Sequence, residues 1–247
     1  MKALVNILVL ASAAAHVWAQ AASQYNITVV NLSGFQSGFS VALQPPDVSG
    51  ASGEVYTTVW QSFLLAANGR ASALTTTDWY AWAGETSEYP APGVRITGGV
   101  SLLAQLGGAG ANGSTFEMGL ADETPTLTEV SSQATGRAYE IITGGDLPNP
   151  NEKYLLGLGK SSEVAIGLPA AVMFAQNMES VMIAPAMRFF VDAFEYPVGE
   201  ILDLTAGYAN AANVDFTRGD GQGKNVAVVT YTQTGTWLVK YQLNLEE

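Results

Sequence analysis

The amino-acid sequence predicts an all-β protein, an antiparallel β-sandwich arranged as one large domain or two successive sandwich-like domains. Three observations lead there. Short β-branched and aromatic runs alternate with Gly, Pro, Asn and Ser clusters along nearly all 247 residues. Within the runs, apolar side chains recur at every second position, as in Phe39, Val41 and Leu43. The chain has no cysteine, yet 48% of it is apolar, enough for a core that holds without disulfide staples.

The elements follow in order. Tyr25 to Leu32 reads as the first strand and Gly38 to Leu43 as the second, ended by Pro45 and Pro46, which cannot donate to a ladder. Val55 to Ala67 and Ala71 to Ala83 read as a hairpin, because Asn68 and Gly69 between them tolerate positive φ. Val94 to Leu106, broken at Gly98 and Gly99, and Ser114 to Leu120 add strands around a glycine-rich loop from Gly107 to Gly113. That loop lacks the spacing and the following lysine of a phosphate cradle. Ala121 to Gly136 is polar and weakly patterned. It suggests an N-terminal β domain over 20–123, a candidate linker over 124–136 and a C-terminal β domain over 137–247, or else a long loop within one domain.

Arg137 to Thr143 looks extended, and Leu147 to Asn151 is a rigid turn before Tyr154 to Leu158. Ala170 to Phe194 carries four methionines but also Phe189, Phe190, Val191 and Phe194. It reads as two strands with a turn near Gln176 and Asn177, and the methionines as core filling. Asn213 to Thr217, the loop Arg218 to Asn225 and Val226 to Thr232 read as a hairpin. Trp237 to Leu243 closes the chain, with Trp237, Val239, Tyr241 and Leu243 on one face.

Residues 1–19 have the form of a secretory signal: Lys2, an apolar stretch from Ala3 to Ala15, and Val17 and Ala19 before a cut at Gln20. No later segment is long and apolar enough for a transmembrane helix. Extracellular localisation is therefore expected, and Asn26, Asn31 and Asn112 head glycosylation sequons consistent with it. Cleavage would remove Lys2 and no acid, leaving 9 basic against 22 acidic residues, or −13. Such a field repels phosphate backbones, so nucleic acid is not an expected partner.

The lone histidine, His16, lies inside that signal, so the mature chain would hold neither His nor Cys. A Ser-His-Asp triad, a cysteine nucleophile and the usual zinc or copper ligand sets are then excluded. Carboxylates, lysine, tyrosine and oxygen-ligated cations remain. No metal or other cofactor is expected.

Trp79, Tyr80 and Trp82 form the densest aromatic cluster. On a strand Tyr80 and Trp82 share a face, and an exposed pair would make a platform for sugar rings or a protein, whereas a covered pair would be core. Tyr80 and Trp82 are the candidate binding residues. Asp192, Glu195, Glu200 and Asp203 are the carboxylates closest in sequence to a hydrolytic pair, or a solvated acidic rim. Asp215, Asp220 and Asn225 offer oxygens to calcium but lack the spacing of a helix-loop-helix site. Arg218, Gly219 and Asp220 spell a tripeptide that recurs by chance.

Several stretches resemble a group of β-rich secreted proteins of filamentous fungi with no known active site: Asn26 to Gly34, Gln44 to Pro46, Glu54 to Trp60 with Asn68 and Gly69, Asn149 to Asn151 with Leu156 to Gly159, and Gly199 to Asp203 before Asp215 to Thr217. The resemblance implies a β-rich fold over most of the mature chain and carries over no catalytic residue. A cysteine associated with the group near the position of Trp82 is missing. The expected function is a secreted, non-catalytic binding or cell-surface matrix protein whose partner is an extracellular glycan or protein. A carboxylate-dependent carbohydrate hydrolase and a secreted toxin or effector are the alternatives.

Overall fold

The computed structural model describes residues 23–108, 110–163, 165–204 and 210–243. The expected signal, residues 1–19, lies outside them. The chain opens with β1 (Gln24–Asn31), β2 (Ser37–Leu43), β3 (Asp47–Ser49), β4 (Tyr56–Thr57), β5 (Val59–Leu65) and β6 (Arg70–Thr76). The middle gives β7 (Trp79–Glu85), β8 (Val100–Ala104), β9 (Gly113–Ala121), β10 (Thr124–Ala134), β11 (Tyr139–Thr143) and β12 (Tyr154–Lys160). The last third gives β13 (Leu168–Phe174), β14 (Ser180–Ala184), β15 (Arg188–Asp192), β16 (Ala212–Asp215), β17 (Val226–Tyr231) and β18 (Trp237–Gln242). No helix among the described residues is long and apolar enough to cross a membrane.

The strands form four sheets. Sheet I runs β18-β17-β1-β6, sheet II β16-β15-β2-β5, sheet III β10-β9-β11-β14-β3 and sheet IV β4-β13-β12-β7-β8. Pairing is antiparallel except between β1 and β17 and between β9 and β11. Sheets I and II face each other through aromatic rings: Phe39 of β2 lies 5.8 Å from Tyr231 and 6.0 Å from Trp237. Sheets III and IV are joined by the fully buried Tyr139, whose hydroxyl donates to the Gly157 carbonyl at 3.0 Å. One continuous apolar core links the two sandwiches, from Phe39 and Trp60 through Trp79 and Phe116 to Met173 and Phe189.

The predicted all-β sandwich class holds, but several predicted connections do not. Asn68 does take positive φ, at 61°. However, β5 pairs with β2 in sheet II while β6 pairs with β1 in sheet I, so this turn is a corner between facing sheets rather than a hairpin. The stretch 213–232 behaves the same way, since β16 belongs to sheet II and β17 to sheet I. The C-terminal hairpin is instead β17 with β18. The turn expected near Gln176 and Asn177 is present, but it carries the chain from β13 in sheet IV to β14 in sheet III, and β15 is a further strand. The candidate linker 124–136 is largely β10, paired along its length with β9. A division there would cut sheet III between its neighbours β10 and β9, and would split sheet IV into β4, β7 and β8 on one side and β12 and β13 on the other.

Candidate functional site

Both faces of β7 are covered, and that decides the fate of its aromatic cluster. Trp79, Ala81 and Ala83 point into the main core. Trp82 points the other way, into a second cluster with Ile96, Leu155, Val172, Phe174 and Ile201. There its indole lies so close to Gly84 and Gly99 that a Cβ on either would stand 2.4 or 2.6 Å from a ring atom. Trp82 is 2% exposed and offers no face to a ligand. Tyr80 is half-buried beside Gly159 and Gly167. The expectation of a Tyr80–Trp82 platform is therefore corrected: chain segments 94–99 and 199–201 cover that side of sheet IV, and Trp82 is core.

The cluster that encloses Trp82 supports a cleft on its outer side. β4 forms the edge of sheet IV, pairing Tyr56 with Val172 of β13. The Leu202 N–H donates to the Thr57 carbonyl, Ile201 to Val94, and Gly93 to Ile201, so three separate segments are tied edge to edge. They leave a cleft of about 340 Å³ walled by Glu54 to Thr57, Tyr89 to Pro92 and Leu202 to Leu204. Tyr56 packs on the second core cluster as the cleft's floor. Tyr89 is 65% exposed at its mouth, with its ring centroid 5.2 Å from that of Phe174. Burial, followed by the neighbouring Glu54 carboxylate and the Tyr89 hydroxyl, pushes the Tyr56 phenol up to about 12. Tyr56 thus stays a neutral donor at any physiological pH, beside two carboxylates, Glu54 and Asp203, and two aromatic rings.

The remaining candidates fall into place individually. Asp192 is buried, which raises its carboxyl pKa against the opposing hydrogen bond from the Ala193 N–H. Burial first, then Asp192, Glu200 and Asp203, raise the Tyr196 phenol, so these acids gather around Tyr196. The two oxygens of Asp215 are committed: Oδ1 accepts from the Thr217 N–H and hydroxyl, and Oδ2 from Arg218 Nε at 2.7 Å. That contact also ties down the arginine of the Arg218–Asp220 tripeptide. Among the described residues no group of three or more His, Cys, Asp and Glu could hold a metal ion.

The sequons differ sharply. Asn112 is exposed just before β9, and Asn26 is half-buried within β1. Asn31 is fully buried, and its Nδ2 donates to the carbonyls of Phe35, Leu65 and Ala66. A glycan on that nitrogen would have to displace these bonds, so the expectation for Asn31 is corrected: in the fold this side chain is structural.

Sequence reasoning missed Tyr56 and Tyr89. Tyr56 sat inside the predicted strand Val55 to Ala67, with nothing in its neighbourhood to single it out. The signal for Tyr89 was the Tyr-Pro-Ala-Pro run from Tyr89 to Pro92, which fixes an aromatic residue on a stiff segment. No curated protein and no solved structure matches the chain. The RhiA family model matches residues 22–242, nearly the whole length, and the chain belongs to the RhiA family.

Proposed function

We propose that the protein is an extracellular, non-catalytic glycan-binding protein, and that the Tyr56–Tyr89 cleft is its binding site. The observation that carries this reading is the exposed Tyr89 ring standing over a cleft edged by Glu54 and Asp203. A sugar ring has an apolar face and a rim of hydroxyls. An aromatic ring takes the first, and carboxylates and a neutral phenol take the second. Secretion rests on the signal-like residues 1–19, and a filamentous-fungal source on the resemblance described above.

The test is a glycan array probed with the purified protein and with Y89A. Tyr89 is mostly exposed, so Y89A should fold as the wild type does. Capture of a glycan by the wild type, weakened at least about tenfold in Y89A, is expected from the loss of a stacking contact of roughly 1.5 kcal/mol. Failure of the wild type to retain any glycan, or equal retention by Y89A, would overturn the reading.

One observation favours a hydrolytic alternative: Glu54 and Asp203 line the same cleft. Two carboxylates are the minimum for glycoside hydrolysis. Turnover of an array-positive glycan by the wild type, abolished in E54Q, would convert the binding protein into an enzyme.

A further inference from the structure

A second cleft, of about 570 Å³, opens where the chain passes between the two sandwiches. Its walls come from the β6–β7 link (Thr77, Trp79), the segments around Leu106 and Arg137, the β14–β15 link with Arg188, and Thr217. In a chain of net charge −12, this cleft collects two arginines against one carboxylate, Asp47. The only ion pairs among the described residues are Lys153 with Glu85 and Arg218 with Asp215, so neither Arg137 nor Arg188 has a carboxylate within reach there. The Nε of Arg188 is buried and makes no hydrogen bond. That atom is closed to a ligand as it is to water, so an anion would be met by the terminal nitrogens of the guanidinium, which pair with no carboxylate.

We propose that this cleft binds a small organic anion, with Arg188 and Arg137 gripping its carboxylate or phosphate group. A guanidinium presents its N–H groups in a planar fork that matches two oxygens of an oxyanion. The cleft lies within the size range of small-molecule sites and far exceeds a bare ion, so the oxyanion belongs to a larger polar body. Leu106 and Ala184 to Ala186 supply apolar wall for that body, and Thr77 and Thr217 line it as polar residues.

The site is separate from the Tyr56–Tyr89 cleft, so the two readings can fail independently. Calorimetric titration of the wild type with glucuronate, glucose 6-phosphate and glucose tests it. The two anions separate carboxylate from phosphate recognition, and glucose is the neutral control. At least one anion should bind, glucose at least about tenfold more weakly, and R188Q and R137Q should each weaken the anion at least about tenfold. Y89A should leave it unchanged. Arg137 is exposed, so R137Q decides the matter should R188Q fold poorly. Absence of binding by both anions, equal binding of glucose, or unchanged affinity in R137Q would overturn the proposal.

Discussion

Lys160 ends β12 with its side chain fully buried. Its Nζ donates to the carbonyls of Thr76 at 2.5 Å and Asp78 at 2.7 Å, and the Trp79 ring lies beneath it. These contacts and the Asp78 charge favour the ammonium, but burial outweighs them and brings the amine from 10.5 down to about 7. In the unfolded chain the amine keeps its proton to about pH 10. Between those values the unfolded chain holds more protons than the folded one, so raising the pH favours the fold. Urea unfolding of wild type and K160M at pH 7 and pH 9 isolates the effect, because all other groups titrate in both proteins. The stability difference should move towards the wild type by about 2 kcal/mol over that interval. An unchanged difference would mean that the two carbonyls and the indole keep the amine charged in the fold.

At the scale of elements, Asn31 shows how strand ends are locked. While its Nδ2 reaches Phe35, Leu65 and Ala66, its Oδ1 accepts from the N–H and hydroxyl of Ser33. One carboxamide thereby fastens the end of β1, the turn into β2 and the corner between β5 and β6. N31A should cost about 2–4 kcal/mol, measured as a shift of the urea midpoint at constant slope, because it removes a donor from three carbonyls and the acceptor of the Ser33 N–H, even though Ala66 keeps the Gly69 N–H and Phe35 the Ser33 hydroxyl. A loss below about 0.5 kcal/mol would show that water replaces the carboxamide. The strands themselves were legible, since alternation such as Trp237, Val239 and Tyr241 against Leu238 and Lys240 reflects one half-buried face packed on the core. Their partners were not. Asn68 and Gly69 specify that the chain reverses, but the reversal can deliver the next strand to the same sheet or to the facing one. The site was hidden for a related reason: Tyr56 and Tyr89 meet only because β4 pairs with β13, and nothing near either residue encodes that pairing. The densest local signal, Trp79 to Trp82, marked a strand covered on both faces.

In the whole molecule, the two ends of the chain build one sandwich, and its middle, joined by the short strands β3 and β4, builds the other. β1 lies inside sheet I, antiparallel to β6 and parallel to β17, so sheet I cannot be completed until the chain's last third is in place. Sheets III and IV come from β3, β4 and β7 to β14, and β13 of sheet IV packs against β2 and β5 of sheet II. Trp60 of sheet II lies 5.7 Å from Phe189, within the core that also contains Leu158 and Met173 of sheet IV. Because that core is continuous, neither sandwich can open without exposing apolar surface of the other, and unfolding should be a single cooperative event. Val229 of sheet I and Leu158 of sheet IV are both buried in it and probe the two halves. V229A should cost about 1–3 kcal/mol and L158A about 2–5 kcal/mol. Each should shift one and the same urea transition, seen identically by far-ultraviolet circular dichroism and by tryptophan fluorescence. Fluorescence samples both halves, since Trp60 and Trp237 belong to one sandwich and Trp79 and Trp82 to the other. Two resolved transitions, with V229A moving only one and L158A only the other, would show that the sandwiches fold as independent units despite their shared core.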